Sequence, residues 1–107
     1  MNINIEELIT TGRISKEVSV GKYVFSLTTP IAEATSVLTD TMAIVAEFVV
    51  KLVDTKSGVS DDFSSKESKA ELIGVLNKMP SGAFGRLVNA LTEIQTEQEG
   101  IFGTIKK

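Results

Sequence analysis

Two adjacent runs near the N-terminus alternate between apolar and polar side chains, which is the period-two pattern of β-strands. The residues on the apolar face of each run are Ile14, Val18 and Val20, followed by Tyr23, Phe25 and Leu27. Gly21-Lys22 separates the runs, and glycine at the first central position suits a type II′ turn. The pattern predicts a β-hairpin over residues 13–28. Lys16, the polar residue on the apolar face, indicates that this face reaches a rim of the fold.

The next segment carries the signals of a helix start. Thr29 suits the N-cap position and Pro30 suits the first helical position. The second half of the segment is apolar on nearly all sides, which is typical of a helix buried on more than one side. Its many β-branched residues make a β-strand an alternative for part of the segment, but the length of the segment favours a helix. We therefore predict one helix over residues 30–53.

Three further helices are predicted from caps and apolar spacing. Asn2 or Asn4 caps a short first helix, which Gly12 ends in a left-handed conformation. A third helix over residues 65–79 ends before a proline, and a fourth over residues 81–98 carries apolar residues at three- and four-residue spacing.

These elements predict an α+β fold in which an N-terminal β-hairpin packs on a small three- to four-helix body. The hairpin must pack on something, because an isolated two-stranded hairpin is marginal in water. The polar segment over residues 54–65 is predicted to be a loop anchored by Phe63. A chain of 107 residues has the length of one typical domain, so we expect a single domain over residues 1–107.

The residue types argue against catalysis. The chain has no Cys and no His, which removes thiolate chemistry, the commonest general base and the commonest transition-metal ligand. Glu6 and Glu7 would diverge by about 100° on a helix. Asp61-Asp62 lacks the ligand spacing of a calcium-binding helix–loop–helix. We predict that the protein is not an enzyme and has no catalytic residue, cofactor or metal.

Charge and hydropathy argue against two other classes of partner. The net charge is −3 and the basic residues are scattered, which disfavours binding to the phosphates of nucleic acid. The most apolar stretch, residues 42–53, is about 12 residues long, against the roughly 20 that a membrane-spanning helix needs. We therefore predict that the partners are other proteins.

The predicted long helix offers more apolar surface than a small domain covers by itself. It is either a central core helix or a helix partly covered by another chain. Its stripe of Val45, Val49 and Leu52 is predicted to face the core. The residues predicted to contact a partner are Val24 in the hairpin, Ile44 and Phe48 in the helix, and Ile101 and Phe102 near the C-terminus. The edge of the hairpin, which few charges guard, is predicted to accept a strand from a partner.

Residues 12–18 and 21–30, GRISKEV and GKYVFSLTTP, resemble a family of small tail and baseplate assembly proteins of bacteriophages with contractile tails. In that family a short hairpin ending in a Leu-Thr step precedes a helical body. The resemblance implies a non-enzymatic structural or chaperoning role, with subunits of a phage tail or baseplate as partners and several copies present. It implies a location in the host cell cytoplasm during assembly and, for a retained subunit, in the virion. The alternative is a small adaptor or regulatory module of the bacterial cytoplasm.

Overall fold

The computed structural model describes residues 4–35 and 38–102, apart from the side chain of Phe102. Its elements are α1 (Ile5–Thr10), β1 (Ser15–Val20), β2 (Tyr23–Thr28), α2 (Ala32–Thr35), α3 (Thr41–Phe48), β3 (Val49–Asp54), β4 (Ser60–Asp62), α4 (Lys66–Lys78) and α5 (Ser81–Phe102). The strands form one antiparallel sheet in the order β1-β2-β3-β4. The predicted α+β class with an N-terminal hairpin is confirmed. The described residues form five helices, because α2 and α3 stand where one helix was predicted over residues 30–53.

The hairpin forms as its alternation predicts. β1 and β2 pair in continuous register up to the closing pair Val20↔Tyr23. Gly21 has a φ of 61°, and no described residue other than glycine has a positive φ. Lys22 therefore lacks the left-handed conformation that a type I′ turn requires at its second central position, and the turn fits the predicted type II′.

Thr29 closes the open end of the hairpin and does not cap a helix. Its N–H donates to the carbonyl oxygen of Ile14 over 3.0 Å, and its Oγ1 accepts from the N–H of Ile14 over 3.2 Å. The helix predicted to begin at Pro30 is therefore absent, and the short α2 begins only at Ala32.

The single helix predicted over residues 30–53 is wrong. α3 ends at Phe48, and the chain continues directly as β3, which pairs with β2. The alternative that the β-branched residues allowed, a β-strand, is the correct structure of residues 49–53. Leu27 pairs with Val49 after a shift in register, so both side chains point into the core. The loop predicted over residues 54–65 also contains a strand, since β4 pairs with β3.

A lysine from a distant helix ends α3. The last carbonyl groups of any helix lack intrahelical partners, and the sequence of α3 and β3 contains neither Gly nor Pro to stop the helix. Lys69 of α4 supplies the missing donors. Its Nζ donates to the carbonyl oxygens of Ala46 over 2.8 Å, Glu47 over 3.3 Å and Val49 over 2.6 Å. The change from helix to strand is thus stabilised by a contact that is tertiary.

The other helices follow their local signals. Asn4 is the N-cap of α1, and its side chain accepts from the third backbone N–H beyond it. Ser65 caps α4 in a capping box with Ser68, and α4 ends at Lys78 with Met79 as its C-cap, as the following proline predicts. α5 begins where expected but continues beyond residue 98 to Phe102.

The hydrophobic core lies between one face of the sheet and helices α3, α4 and α5. Val45 and Val49 are fully buried, and Leu52 packs against the core while partly exposed, in agreement with the predicted stripe. Phe63 is buried and anchors the segment between β4 and α4. The largest fully buried side chains also include Leu27, Leu72, Leu76, Leu87 and Ile94.

Candidate interaction surfaces

The structure separates the residues predicted to contact a partner. Phe48 is only 5% exposed and belongs to this chain's own core, so its placement on a free second face of the helix is wrong. Ile44 is partly buried against the same core. The burial of both follows from the end of α3, because the chain turns there into the sheet. Val24 lies half-buried in β2, and Ile101 is 42% exposed on α5. The side chain of Phe102 lies outside the described residues.

Val24 belongs to the outer face of the sheet, the face opposite the core. It pairs with Val53 of β3 on one side and with Ser19 of β1 on the other, and Val53 pairs in turn with Ser60. Each of these residues is exposed or half-buried. Antiparallel sheets commonly pack one face on the core and leave the other in water. The outer face offers one small apolar pair among hydroxyl side chains.

The outer edge of β1 is a second surface. Among the residues that the structure describes, β2 is the one strand that pairs with β1. Hydrogen bonding alternates along an antiparallel pair, and Ile14, just before β1, bonds through both its N–H and its C=O to Thr29, just after β2. The N–H and C=O groups of Ser15, Glu17 and Ser19 therefore point away from β2. These groups form a short unpaired edge, as the sequence pattern predicted.

α5 packs beneath β1 and completes this flank of the molecule. Lys16 reaches across to α5, where its Nζ lies 2.6 Å from Glu97 and 4.0 Å from Glu93. The hydrogen bond with Glu97 raises the pKa of Lys16 above its ordinary value. Lys16, predicted to lie at a rim of the fold, thus forms an ion pair that joins the sheet to α5.

A third surface, here called the apolar end, was not recognised in the sequence. It consists of exposed apolar side chains from α1, from the residue just before α2 and from the end of α5. These are Ile5, Leu8, Ile9, Ile31 and Ile101. Their exposed fractions range from 42% to 63%, and α1 has no buried residue. The signal that could have revealed it is the apolar spacing of α1, a helix of only six residues with no room to bury a stripe.

The parts of the apolar end meet around Gln98. The side chain of Gln98 donates through Nε2 to the carbonyl oxygen of Gly12 over 2.9 Å, which joins α5 to the end of α1. Gly12 has a φ of 84°, the left-handed conformation predicted for the residue that ends this helix. Ile9, Ile31 and Gln98 line one cleft of about 440 Å³. Ile9 and Ile31 therefore share one cleft, while Ile5 and Leu8 lie within one turn of Ile9 on α1 and Ile101 lies one turn beyond Gln98 on α5.

The remaining chemistry of the described residues is sparse. Within residues 4–35 and 38–102, no three metal-ligating side chains come together. In the same ranges, no helix is both long and apolar enough to cross a membrane. The half-buried Lys69 has its pKa lowered by desolvation, although Glu47 acts in the opposite direction. Since Lys69 faces backbone carbonyls and not a cleft, its position serves the end of α3.

Comparison with known proteins finds no matching family model, no matching curated protein and no matching solved structure.

Proposed function

We propose that this chain acts by binding other proteins, as a non-enzymatic structural or assembly subunit of a bacteriophage tail or baseplate. The observation that supports binding is the apolar end, where five large apolar side chains are exposed and two of them, Ile9 and Ile31, line one cleft. Clustered exposed apolar surface marks contact sites on small proteins. The assignment to a phage tail rests on the resemblance of residues 12–18 and 21–30 to that family.

The size of the apolar end favours an assembly over a tight pair. Complete burial of a large apolar side chain contributes roughly 1.5–3 kcal/mol, and these side chains are about half buried already. Five of them would add about 5 kcal/mol on binding. This is near the lower end of the roughly 4–15 kcal/mol that association costs in lost freedom of motion. One such contact is weak, but contacts repeated over several subunits strengthen one another.

The test is a double substitution, Leu8→Ser with Ile9→Ser, in the full chain. Both side chains are 63% exposed, so the variant should keep the circular dichroism spectrum and melting temperature of the wild type. The matched control is Val59→Ser, which removes an apolar side chain that is 62% exposed in the turn between β3 and β4. Each form is mixed with the purified tail and baseplate subunits encoded beside it and analysed by size-exclusion chromatography with light scattering.

We expect the wild type and Val59→Ser to co-elute with a tail or baseplate subunit, and the double variant to elute alone. Wild-type protein that binds none of these subunits would contradict the tail assignment. A double variant that binds as well as the wild type would show that the apolar end is not the contact surface.

The alternative function, a small bacterial adaptor, is supported by the charges at the same end. Glu6 and Glu7 are exposed on α1, and Glu99 is exposed beside Gln98. Carboxylates around an apolar surface suit a basic amphipathic peptide. Binding to such a peptide would weaken strongly between low and high salt, whereas an apolar contact with a tail subunit would change little.

A further inference from the structure

The flank formed by β1 and α5 combines an unpaired strand edge with a charged helix stripe. Glu17, Val18 and Ser19 line one side of a shallow groove there. The other side is lined by α5 residues on one stripe of the helix, namely Arg86, Asn89, Ala90 and Glu93. The edge presents backbone donors and acceptors, so its chemistry suits another β-strand. The stripe beside it restricts which strand-bearing molecule fits.

The charges on the stripe are arranged to complement themselves. Arg86 and Glu93 are both exposed and lie about two turns, or roughly 10 Å, apart along α5. Their midpoint falls between Asn89 and the small Ala90. A two-fold rotation about that midpoint places Arg86 of one copy beside Glu93 of a second copy, and the reverse. A two-fold interface between identical chains requires this self-complementarity.

The edge of β1 is compatible with the same axis. The groove brings Val18 together with Asn89 and Ala90, so a rotation axis at the middle of the stripe passes close to Val18. Antiparallel pairing of two β1 strands about Val18 sets Glu17 of one copy opposite Ser19 of the other. This register avoids two glutamates facing each other, which would destabilise the pair.

We propose that the occupant of this flank is a second copy of the chain, joined through antiparallel β1 strands and two reciprocal Arg86–Glu93 contacts. The proposal is independent of the proposed function, because it uses a different surface from the apolar end. It extends the sheet across the two-fold axis and leaves both apolar ends free for other partners.

Charge reversal on α5 is the first test. Sedimentation equilibrium should show that the wild type forms a dimer. Arg86→Glu and Glu93→Arg should each weaken the dimer about tenfold or more, because each replaces two attractions with two repulsions. A mixture of the two single variants should form a heterodimer, since every contact between them again joins opposite charges. Both residues are exposed, so both variants should keep the circular dichroism spectrum of the wild type. Melting temperatures are compared at a concentration where every form is monomeric, because association itself raises stability, and Glu93→Arg also loses the 4.0 Å contact of Glu93 with Lys16.

Hydrogen exchange followed by NMR at rising protein concentration is the second test. The backbone N–H groups of Glu17 and Ser19 point away from β2, so dimer formation should slow their exchange. The N–H of Val18 bonds to β2 in both states and provides the internal control. The double variant of the apolar end, Leu8→Ser with Ile9→Ser, should dimerise like the wild type.

Any of the following outcomes would overturn the proposal. The first is wild-type protein that stays monomeric up to its solubility limit. The second is a dimer that neither single reversal weakens, or a mixture of the reversals that does not associate. The third is a dimer in which the N–H groups of Glu17 and Ser19 exchange as fast as in the monomer. Loss of the dimer in the apolar-end variant, with both charge reversals still dimeric, would show that the dimer forms through the apolar end and not through β1 and α5.

Discussion

Replacing Lys69 with methionine removes the donor that ends α3 while keeping a long, flexible side chain at the site. In the wild type, the Lys69 ammonium donates to three carbonyl oxygens at the junction of α3 and β3, over 2.6 to 3.3 Å. Methionine has no donor. The carbonyl groups of Ala46 and Val49, whose residues are fully buried, would then lose this partner.

The expected loss follows from the number and kind of these bonds. A hydrogen bond from a charged group contributes roughly 1.5–3 kcal/mol, and a buried group left without a partner costs about 1–3 kcal/mol. Two of the three bonds are short and the third is long, and the ammonium gives up hydration to make them. We therefore expect Lys69→Met to lower the free energy of unfolding by about 3 kcal/mol. For a domain of this size the melting temperature would fall by roughly 12–20 °C.

The assay is thermal and urea unfolding followed by circular dichroism. The control is Lys66→Met, the same substitution at an exposed position of the same helix, which should change the free energy of unfolding by less than about 0.5 kcal/mol. Equal stability of the two variants would refute the reasoning. It would show that the end of α3 does not depend on the Lys69 ammonium.

Three further predictions concern other parts of the fold. Phe48→Asp should unfold the isolated chain in circular dichroism melting, at a cost above about 3 kcal/mol, because it places an unpaired charge in the core; Val59→Asp, at an exposed site, should melt like the wild type. Desolvation acts to raise the pKa of Asp54. Hydrogen bonds from two backbone N–H groups and from the Lys22 ammonium outweigh it, so the pKa is lowered below its ordinary value of 3.8. The ionised Asp54 therefore stabilises the fold above pH 3.8 and loses this effect as the pH falls through its folded pKa, so Asp54→Asn should be less stable at neutral pH and approach the wild type in acid; a constant difference in urea titrations would contradict this. Ser65→Ala removes the capping box of α4 and should lower the free energy of unfolding by about 1 kcal/mol in the same titrations. An unchanged free energy of unfolding would show that the capping box contributes little.

The candidate surfaces were predictable only in part. The edge of the hairpin followed from alternation and the lack of guarding charges, and Ile101 is exposed as a contact residue must be. Phe48 was misplaced because its exposure was inferred from a helix that does not continue past it. The apolar end was missed as a whole because α1 reveals only its own part of it. α1, Ile31 and the end of α5 are distant in sequence, and contacts such as the bond from Gln98 to Gly12 bring them together in the fold.

The sequence by itself determined the elements whose signals act within a few residues. The alternation around Gly21 specifies the hairpin, Ser65 and Ser68 begin α4, and the proline after Met79 ends it. These signals are short-range hydrogen bonds and steric limits, and here the tertiary contacts agree with them, unlike at Thr29, where a bond to Ile14 replaces the predicted cap.

Only the tertiary structure decided between helix and strand where both were locally acceptable. Residues 41–54 are mostly apolar, rich in β-branched side chains and free of Gly and Pro, so local preference leaves the point of change open. The end of α3 at Phe48 is set by pairing of β3 with β2 and by the Lys69 ammonium, which reaches the last carbonyl groups of α3 from another helix. Unpaired carbonyl groups in a core are costly, and that cost is removed by a residue that local sequence cannot bring near.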